Sequence, residues 1–282
     1  MTAEVLTLFR YPVKSMQGES VEVLDVNPGG IDGDRSLALL DVESGRICSA
    51  HHPLKWGALL HCRARWEDGR IVVTLPDGRQ LEAGPELEEA ISALTGRRVR
   101  LIREPPEAGS YEIVHPDVEG AAPSSFMERT LEAAGVRDGR VGRLNVALDA
   151  PRGALVDVAP VHVVPMPSVR ALGASGGDTD LRRFRPNVVV EMEGSDYVEE
   201  RLAGGTLEVG GGRLTVTIPT PRCVMTTLGQ AGGVAPDTGP LRALARDNRL
   251  NLGGGGWACL GVYARTESSF QLHCGDPVRI SR

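Results

Sequence analysis

The sequence is poor in aromatic residues and has no long hydrophobic run. Phe, Trp and Tyr make up only 4% of its 282 residues. No segment stays apolar over the roughly 20 residues that a membrane-spanning helix needs, so we expect no membrane partner. The first ten residues, MTAEVLTLFR, lack the basic start, apolar run and cleavage site of a secretory signal, and they favour a β-strand instead.

Cysteines are few, and basic residues are not in excess. The five cysteines form an odd, widely spread set at Cys48, Cys62, Cys223, Cys259 and Cys274. This spacing does not suit a secreted disulfide framework, so we expect a cytoplasmic protein. The net charge of −6 does not provide the broad basic face that neutralises phosphates, so we also expect no nucleic-acid partner.

Glycine and proline are plentiful, with 35 and 19 residues, and they separate many short strand patterns. Asp68-Gly69 and Asp77-Gly78 predict two hairpin turns between such strands. Apolar residues at helical spacing predict short helices over 85–96, 124–135 and 239–248.

The second of these helices begins SSFMERTLEAAG, in which Ser125 and Glu128 have the spacing of a capping box. Strand patterns dominate both halves and do not alternate regularly with helices, which excludes a doubly wound parallel sheet. We therefore predict a mainly β fold with a few short helices (α+β). A composition change near 104–124 places the boundary between domains over 1–115 and 116–282.

Two glycine clusters, in 209–216 and 252–261, do not predict phosphate-binding loops. Such a loop leads from a strand into a helix N-terminus, where free N–H groups point at the anion. Here each cluster is followed by a strand pattern and lacks the Gly-Lys-Ser/Thr ending. Both clusters are interpreted as turns.

One segment is dense in candidate zinc ligands: Cys48, His51, His52, His61 and Cys62. A structural zinc site uses four ligands in two short-spaced pairs. His61 and Cys62 are adjacent, and adjacent residues of a strand face opposite ways. A structural role for this group is therefore favoured over zinc binding.

Cys223 lies in IPTPRCVMTT, at the end of an apolar strand pattern. A free cysteine is most often a small buried hydrophobe. Pro219 and Pro221 stiffen the segment and Arg222 places a cation beside the sulfur, which suits a ligand of a soft metal. The same cation favours a thiolate nucleophile, although no neighbouring histidine identifies its base. The residues alone leave all three roles open.

Several basic residues flank predicted strands in both halves. Lys14-Ser15 follows Tyr11-Pro12, Arg35 lies in GIDGDRSLALLD, and Arg185-Pro186-Asn187 opens an apolar strand. Exposed cations are usually solvated and contribute little. Cations and an amide that converge on one cleft would suit a phosphorylated organic cofactor, through charge-assisted hydrogen bonds.

Six segments taken in order resemble the MOSC superfamily, named for the C-terminal domain of molybdenum cofactor sulfurase. They are YPVKSMQGESV, GIDGDRSLALLD, DVAPVHVV, RFRPNVVVE, PRCVMTT and GVYARTESSFQLHCGDPV. The similar type has two parts, with an N-terminal MOSC β-barrel domain, as in the mitochondrial amidoxime-reducing component and its bacterial relatives. The resemblance implies two β-barrel-like domains, the second a MOSC β-barrel.

The resemblance also implies a molybdenum cofactor, a molybdenum-pyranopterin whose metal binds one protein cysteine. That cysteine matches Cys223, and Asp157 matches an acidic catalytic position near the metal. The matching cofactor-binding positions are Lys14, Ser15, Arg35, Arg185, Asn187 and Arg222. The implied activity is reduction of small N-hydroxylated or N-oxide compounds. No ferredoxin-like cysteine run is present, so electrons are expected from an external electron-donor protein such as a reductase, a ferredoxin or a cytochrome-type protein.

Three positions depart from the family pattern. TTLGQAGG over 226–233 stands where relatives often have Thr-Thr-Val-Asp-Pro, and Val158 and Ala159 supply no hydroxyl beside Asp157. His51 stands where relatives often have the arginine of a Thr-Ala-Arg motif. The Asp-Pro missing after Thr227 keeps open an alternative, a molybdenum cofactor binding or sulfur-carrier protein without reductase turnover. A structural or interaction protein with a vacant barrel is the third reading.

Overall fold

The computed structural model describes residues 3–107, 109–136, 139–145 and 155–281. Strands predominate over short helices in these ranges, which confirms the predicted fold class. None of the helices within the described ranges is long and apolar enough to cross a bilayer.

The strands are, in chain order, β1 (Ala3–Arg10), β2 (Glu19–Val21), β3 (Val23–Asn27), β4 (Gly30–Ile31), β5 (Ala38–Asp41), β6 (Arg63–Glu67), β7 (Arg70–Thr74), β8 (Gln80–Glu82), β9 (Val99–Ile102), β10 (Ser110–Val114), β11 (Val141–Asn145), β12 (Val161–Pro165), β13 (Val188–Met192), β14 (Thr206–Val209), β15 (Gly212–Pro221), β16 (Arg249–Asn251), β17 (Gly256–Arg265), β18 (Phe270–His273) and β19 (Pro277–Ser281). The α-helices are α1 (Pro53–Trp56), α2 (Pro85–Thr95), α3 (Ser124–Ala134), α4 (Met166–Ala174), α5 (Glu199–Leu202) and α6 (Gly239–Asp247). Short 3-10 turns cover Gly57–His61, Leu181–Arg183 and Val224–Thr227.

Seven strands close into a barrel in the order β12-β13-β1-β19-β14-β15-β17, and β17 pairs back onto β12. Neighbouring strands are antiparallel except for β12 and β13, which are parallel. Alternate residues such as Val5, Val163, Val190, Leu214 and Val262 point inward and form its apolar core. Closure leaves these strands without free edges.

β1 comes from the start of the chain but lies between β13 and β19 in the barrel. A second pairing of the same kind joins β3 to β18. Strand pairing therefore crosses the predicted boundary between 1–115 and 116–282, and the position of that boundary stays a prediction.

The remaining N-terminal strands form small antiparallel sheets, β6-β7-β8 and β5-β9, around a second apolar core. Both predicted hairpin turns are confirmed. Asp68 and Gly69 connect β6 to β7 with positive φ angles of 48° and 77°, as a tight turn requires. Gly78, with a φ of 88°, lies in the turn between β7 and β8.

The predicted helices are confirmed as α2, α3 and α6, and Gly96 and Gly135 end the first two in the left-handed conformation. The capping box was a wrong prediction. Pro123 occupies the N-cap of α3, so Ser125 lies inside the first turn. Its hydroxyl donates across to the Gly254 carbonyl at 2.9 Å instead.

Both glycine clusters are turns, as predicted. Gly210 and Gly211 connect β14 to β15, and residues 253–255 connect β16 to β17. All five glycines have positive φ angles.

Candidate functional site

A cavity of about 300 Å³ brings together six of the eight predicted site residues. These are Arg35, Asp157, Arg185, Asn187, Arg222 and Cys223. Lys14 and Ser15 do not line the cavity, and both are buried behind it. The Lys14 ammonium reaches Asp157, and the Ser15 hydroxyl accepts the Ala50 N–H at 3.0 Å.

Backbone strain is concentrated at this site. Four non-glycine residues in the described ranges have positive φ angles, and one of them, Asp68, belongs to a hairpin turn. The other three are the predicted site residues Ser15, Arg35 and Arg185, at 66°, 43° and 54°. The left-handed conformation costs about 1 kcal/mol or more for such residues, and it persists where the surrounding structure enforces it. The positive φ angles set the direction in which each of the three side chains leaves the backbone.

Two arginines at one end of the cavity share the Tyr11 ring. The guanidinium carbons of Arg35 and Arg185 lie 4.8 and 4.3 Å from its centroid. Arg35 also donates to the Asn187 amide oxygen at 3.2 Å. Burial, and then the Arg35 charge, lowers the pKa of Arg185 to about 10, so the group stays protonated at neutral pH. Arg35 also forms an ion pair with Asp34, so Arg185 presents the less compensated charge to an anionic ligand.

Arg222 supplies a third cation on the same wall. Its Nη2 donates to the Phe184 carbonyl at 3.0 Å, and its guanidinium carbon lies 5.4 Å from the Phe184 ring centroid. The buried Nε has no hydrogen-bond partner. A buried donor without a partner costs about 1–3 kcal/mol, so a ligand acceptor at this position would be stabilising.

Cys223 follows the end of β15 and precedes the 3-10 turn Val224–Thr227. The His51 side chain lies close enough to the Cys223 thiol for each group to shift the pKa of the other. On the other side of the imidazole, the Ser49 hydroxyl contacts Nδ1 at 2.8 Å, which leaves Nε2 for the sulfur. The structure thus supplies the histidine that the sequence around Cys223 did not identify.

Cys223 and His51 shift each other's pKa values, and the charges of Arg222 and Asp157 add to these shifts. Burial opposes a thiolate at Cys223, but the His51 charge, the hydrogen bond from His51 and the Arg222 charge together lower the Cys223 pKa. Burial likewise opposes a charged His51, but Cys223 and then Asp157 raise the His51 pKa. The pair therefore favours a thiolate beside an imidazolium.

Asp157 forms an ion pair with the buried Lys14, which also donates to the Leu155 carbonyl at 3.0 Å. Burial raises the pKa of Asp157, but Lys14 and His51 outweigh it and lower the value to about 2. Asp157 is therefore a carboxylate at neutral pH. Lys14, predicted to bind the cofactor, is largely neutralised by this partner.

The other residues of the dense Cys/His segment separate. Cys48 and Cys62 lie in the N-terminal apolar core, where burial raises the pKa of Cys62 to about 12. His52 lies 4.0 Å from Glu112. Over the described ranges, no group of three or more His, Cys, Asp and Glu side chains is placed to hold a metal ion. The burial of the two thiols agrees with the structural role expected for them.

Sequence reasoning missed Tyr11 and Ser49 as site residues. Tyr11 stands in the segment YPVKSMQGESV, but nothing in the sequence indicates that two arginines lie over its ring. Ser49 is two residues before His51 and fully buried, and only this proximity could have suggested the contact.

The described residues thus combine a closed β-barrel with a cavity lined by arginines. The MOSC domain profile matches residues 150–279, and the profile of the MOSC N-terminal beta barrel domain matches residues 2–103. Together these matches span most of the chain. The protein belongs to the MOSC family, in its two-part form, which confirms the resemblance on which the site was predicted.

Among solved structures, the YuaD protein from Bacillus subtilis is 13% identical to this chain. The alignment covers 100% of this chain and 97% of that protein, with a TM-score of 0.45. A structure described as a hypothetical protein is 12% identical, with a TM-score of 0.29, and the alignment covers 50% of this chain and 64% of that one. A search among curated proteins found no match.

Proposed function

We propose that this protein is a molybdenum-cofactor-dependent oxidoreductase that reduces N-hydroxylated or N-oxide compounds. The observation that carries the proposal is the position of Cys223. Its thiolate-favouring sulfur opens onto the same cavity as four arginines, Arg35, Arg183, Arg185 and Arg222. Membership of the MOSC family supports a role connected with the molybdenum cofactor.

The residues present fit this cofactor. A thiolate is a suitable ligand for a soft metal centre, which assigns Cys223 to the metal. Arg35, Arg185 and Asn187 would hold the anionic phosphate end through charge-assisted hydrogen bonds. The unpartnered Nε of Arg222 offers one further donor toward it. Lys14 and Ser15 would support this wall from behind.

When bound, the cofactor supplies the two-electron chemistry that breaks an N–O bond. Two electrons and two protons then convert an N–OH group to N–H and water, or an N-oxide to the amine and water. The electrons come from an external electron-donor protein. His51, whose pKa is raised by Cys223 and Asp157, holds a proton at the cavity wall. Asp157, as a carboxylate, favours the charged form of that imidazole. Its ion pair with Lys14 holds the carboxylate in position at the cavity wall. A cytoplasmic location fits this reducing chemistry.

A second candidate function is cofactor binding or sulfur carriage without reductase turnover. The contact between His51 and Cys223 favours it, because a thiol beside a histidine is also the arrangement of a cysteine nucleophile. The segment 226–233, which departs from the family pattern, begins three residues after Cys223, within the turn Val224–Thr227.

One experiment separates the two functions. The full chain is expressed in a host that makes the cofactor, and molybdenum per chain is measured for the wild type, Cys223→Ser and Cys274→Ser. Benzamidoxime reduction is assayed with an artificial electron donor. The proposal expects metal and turnover in the wild type and in Cys274→Ser, and neither in Cys223→Ser. Metal without turnover on any N-hydroxy compound favours the carrier. A wild type without metal overturns the proposal.

A further inference from the structure

The cavity beside Cys223 changes character on the side away from the arginines. That half, here called the apolar half, is formed by β10, β11, α3 and the start of β17. Its side chains are mainly aromatic and aliphatic. They include Ile113, Phe126, Leu144 and Trp257. Aromatic residues make up only 4% of the chain, yet Phe126 and Trp257 contact each other on this wall.

The rings of the apolar half meet edge to face. The Phe126 and Trp257 centroids lie 4.6 Å apart with their planes at 63°. The His115 and Phe126 rings lie 5.7 Å apart at 88°. Edge-to-face clusters favour a further aromatic ring, because ring edges and faces carry complementary partial charges. Phe126 and Trp257 are both only partly buried, so the pair is open toward the cavity.

No side chain that lines the apolar half in the described ranges carries a formal charge. Burial lowers the pKa of His115, and its Nε2 contacts the Thr130 hydroxyl at 2.7 Å. Val158 and Ala159, which depart from the family pattern by lacking a hydroxyl, also line the cavity. An apolar wall at these positions favours an uncharged ligand group over a charged one.

We propose that the apolar half is a subsite for the uncharged aromatic ring of the substrate, and that Phe126 and Trp257 determine specificity there. The inference rests on the proposed function, which requires the N–O group to lie toward Cys223. One continuous cavity holds both Cys223 and the two rings, so a single small molecule can contact both. The favoured substrates are aryl amidoximes and aryl hydroxylamines rather than short aliphatic ones.

The test measures binding rather than turnover, by titration calorimetry on the full chain as purified without an electron donor. The probes are benzamidoxime and acetamidoxime, which share the N–O group and differ in the ring. The proposal expects at least about tenfold tighter binding of benzamidoxime to the wild type, because burying a ring removes more apolar surface from water than burying a methyl group does. Phe126→Leu and Trp257→Leu are expected to reduce that preference about three- to tenfold. Equal binding of both probes to the wild type overturns the proposal.

Two further variants keep the test sharp. Phe270→Leu removes a ring that packs against the barrel core and does not line the cavity, and it is expected to keep the preference. Ala122→Leu narrows the cavity and is expected to weaken the binding of benzamidoxime more than that of acetamidoxime. This variant keeps the proposal testable if Phe126→Leu or Trp257→Leu fails to fold. An unchanged preference in folded Phe126→Leu, Trp257→Leu and Ala122→Leu contradicts the subsite.

The outcomes distinguish this inference from the proposed function. A chain that holds molybdenum and reduces N-hydroxy compounds without any ring preference contradicts the subsite alone. A chain that prefers benzamidoxime but contains no molybdenum supports the subsite and overturns the reductase.

Discussion

The His51 imidazole lowers the pKa of the Cys223 thiol, although the two residues belong to opposite halves of the chain. The Ser49 hydroxyl fixes the imidazole from its other nitrogen at 2.8 Å. The imidazole gives the sulfur a nearby charge in a half-buried position, where electrostatic interactions are stronger than in water. It makes the reactivity of Cys223 depend on a residue in the other half of the chain.

The first prediction concerns this contact. In the full chain prepared without cofactor, iodoacetamide modifies Cys223 through its thiolate, so the rate follows the thiolate fraction. Because the Cys223 pKa is lowered, the rate is expected to reach half its maximum at a pH below that of an ordinary thiol. In His51→Gln, burial is the main remaining influence on the Cys223 pKa. The half-maximal pH is therefore expected to rise, and modification at pH 7 is expected to be slower by about tenfold or more.

The matched control is Cys274, which is partly exposed and whose pKa is raised by burial. Its modification rate, followed by mass spectrometry of the same samples, is expected to be the same in the wild type and in His51→Gln. A Cys223 profile that does not move when His51 is replaced contradicts the electrostatic coupling.

The second prediction concerns the ion pair of Asp157 and Lys14. The folded-state pKa of Asp157, about 2, lies below its ordinary value of 3.8. A lowered carboxyl pKa contributes stability that is complete above about pH 4 and is lost as the pH falls toward 2. Asp157→Asn is expected to lower the free energy of unfolding by about 1–2 kcal/mol, because it leaves the buried Lys14 ammonium with an uncharged partner.

Urea unfolding at pH 7, 5 and 3 checks this expectation. The deficit of Asp157→Asn is expected to be the same at pH 7 and 5 and to be smaller at pH 3. The matched control is Asp117→Asn, because Asp117 forms an ion pair with Arg140 but has 83% of its side chain exposed. A surface pair of this kind contributes at most about 1 kcal/mol. A deficit that does not depend on pH would show that the charge of Asp157 is not what stabilises the fold.

The third prediction separates the cations of the site. Arg185 is buried, donates to the Met16 carbonyl and forms no ion pair with any described residue, whereas Lys14 is neutralised by Asp157. In cofactor-free protein, Arg185→Met is therefore expected to weaken pyrophosphate binding about tenfold or more, and Lys14→Met to weaken it less. Titration calorimetry at two salt concentrations measures both effects. An equal or larger loss in Lys14→Met would restore the predicted role of Lys14 as a direct phosphate ligand.

Local sequence patterns predicted the local structure well. Asp68-Gly69 needs only its own backbone preference to turn, and apolar residues at helical spacing were sufficient to predict α2 and α6. The capping box at Ser125 failed because the preceding Pro123 occupies the N-cap. The insertion of β1 between β13 and β19 could not be predicted from the residues alone, since strand partners far apart in sequence leave no local pattern.

The candidate site shows the same difference between local features, which the sequence predicts, and long-range contacts, which it does not. The ordered motifs identified Cys223 and Arg185, which the structure places at one cavity. The partners of these groups were not predictable in the same way. The contacts of Cys223 with His51 and of Lys14 with Asp157 join distant parts of the chain. Such contacts depend on barrel closure, which determines which strand ends meet.

The fourth prediction tests the backbone strain at Ser15. Gly normally destabilises a protein relative to Ala by about 0.5–1 kcal/mol, because it loses more freedom on folding. At Ser15 the φ of 66° reverses that order, since only Gly adopts this angle without a steric penalty. Ser15→Gly is expected to be about 1 kcal/mol more stable than Ser15→Ala, as both lose the hydroxyl that accepts from Ala50.

Chemical denaturation of both variants measures the difference, and Ser20 in β2 provides the matched pair. Ser20 lies in an ordinary strand, so Ser20→Ala is expected to be more stable than Ser20→Gly. The same order at Ser15 as at Ser20 would show that no strain is stored at the site.

The last prediction concerns Arg183, which holds the segment after Cys223. This arginine is 1% exposed, and its guanidinium donates to the carbonyls of Thr226 and Ala235 at 3.2 and 2.7 Å. Lysine keeps the charge but cannot reproduce that planar fork, so Arg183→Lys is expected to lower the free energy of unfolding by about 1–3 kcal/mol by leaving buried carbonyls without a donor. It is also expected to reduce molybdenum per chain, because the turn beginning at Cys223 is no longer fixed. Arg182→Lys is the control, because Arg182 donates to the neighbouring loop but has 36% of its side chain exposed. It is expected to lower the free energy of unfolding by about 1 kcal/mol or less and to leave the molybdenum content unchanged. Equal metal content in the two variants would mean that Arg183 stabilises the fold without positioning Cys223.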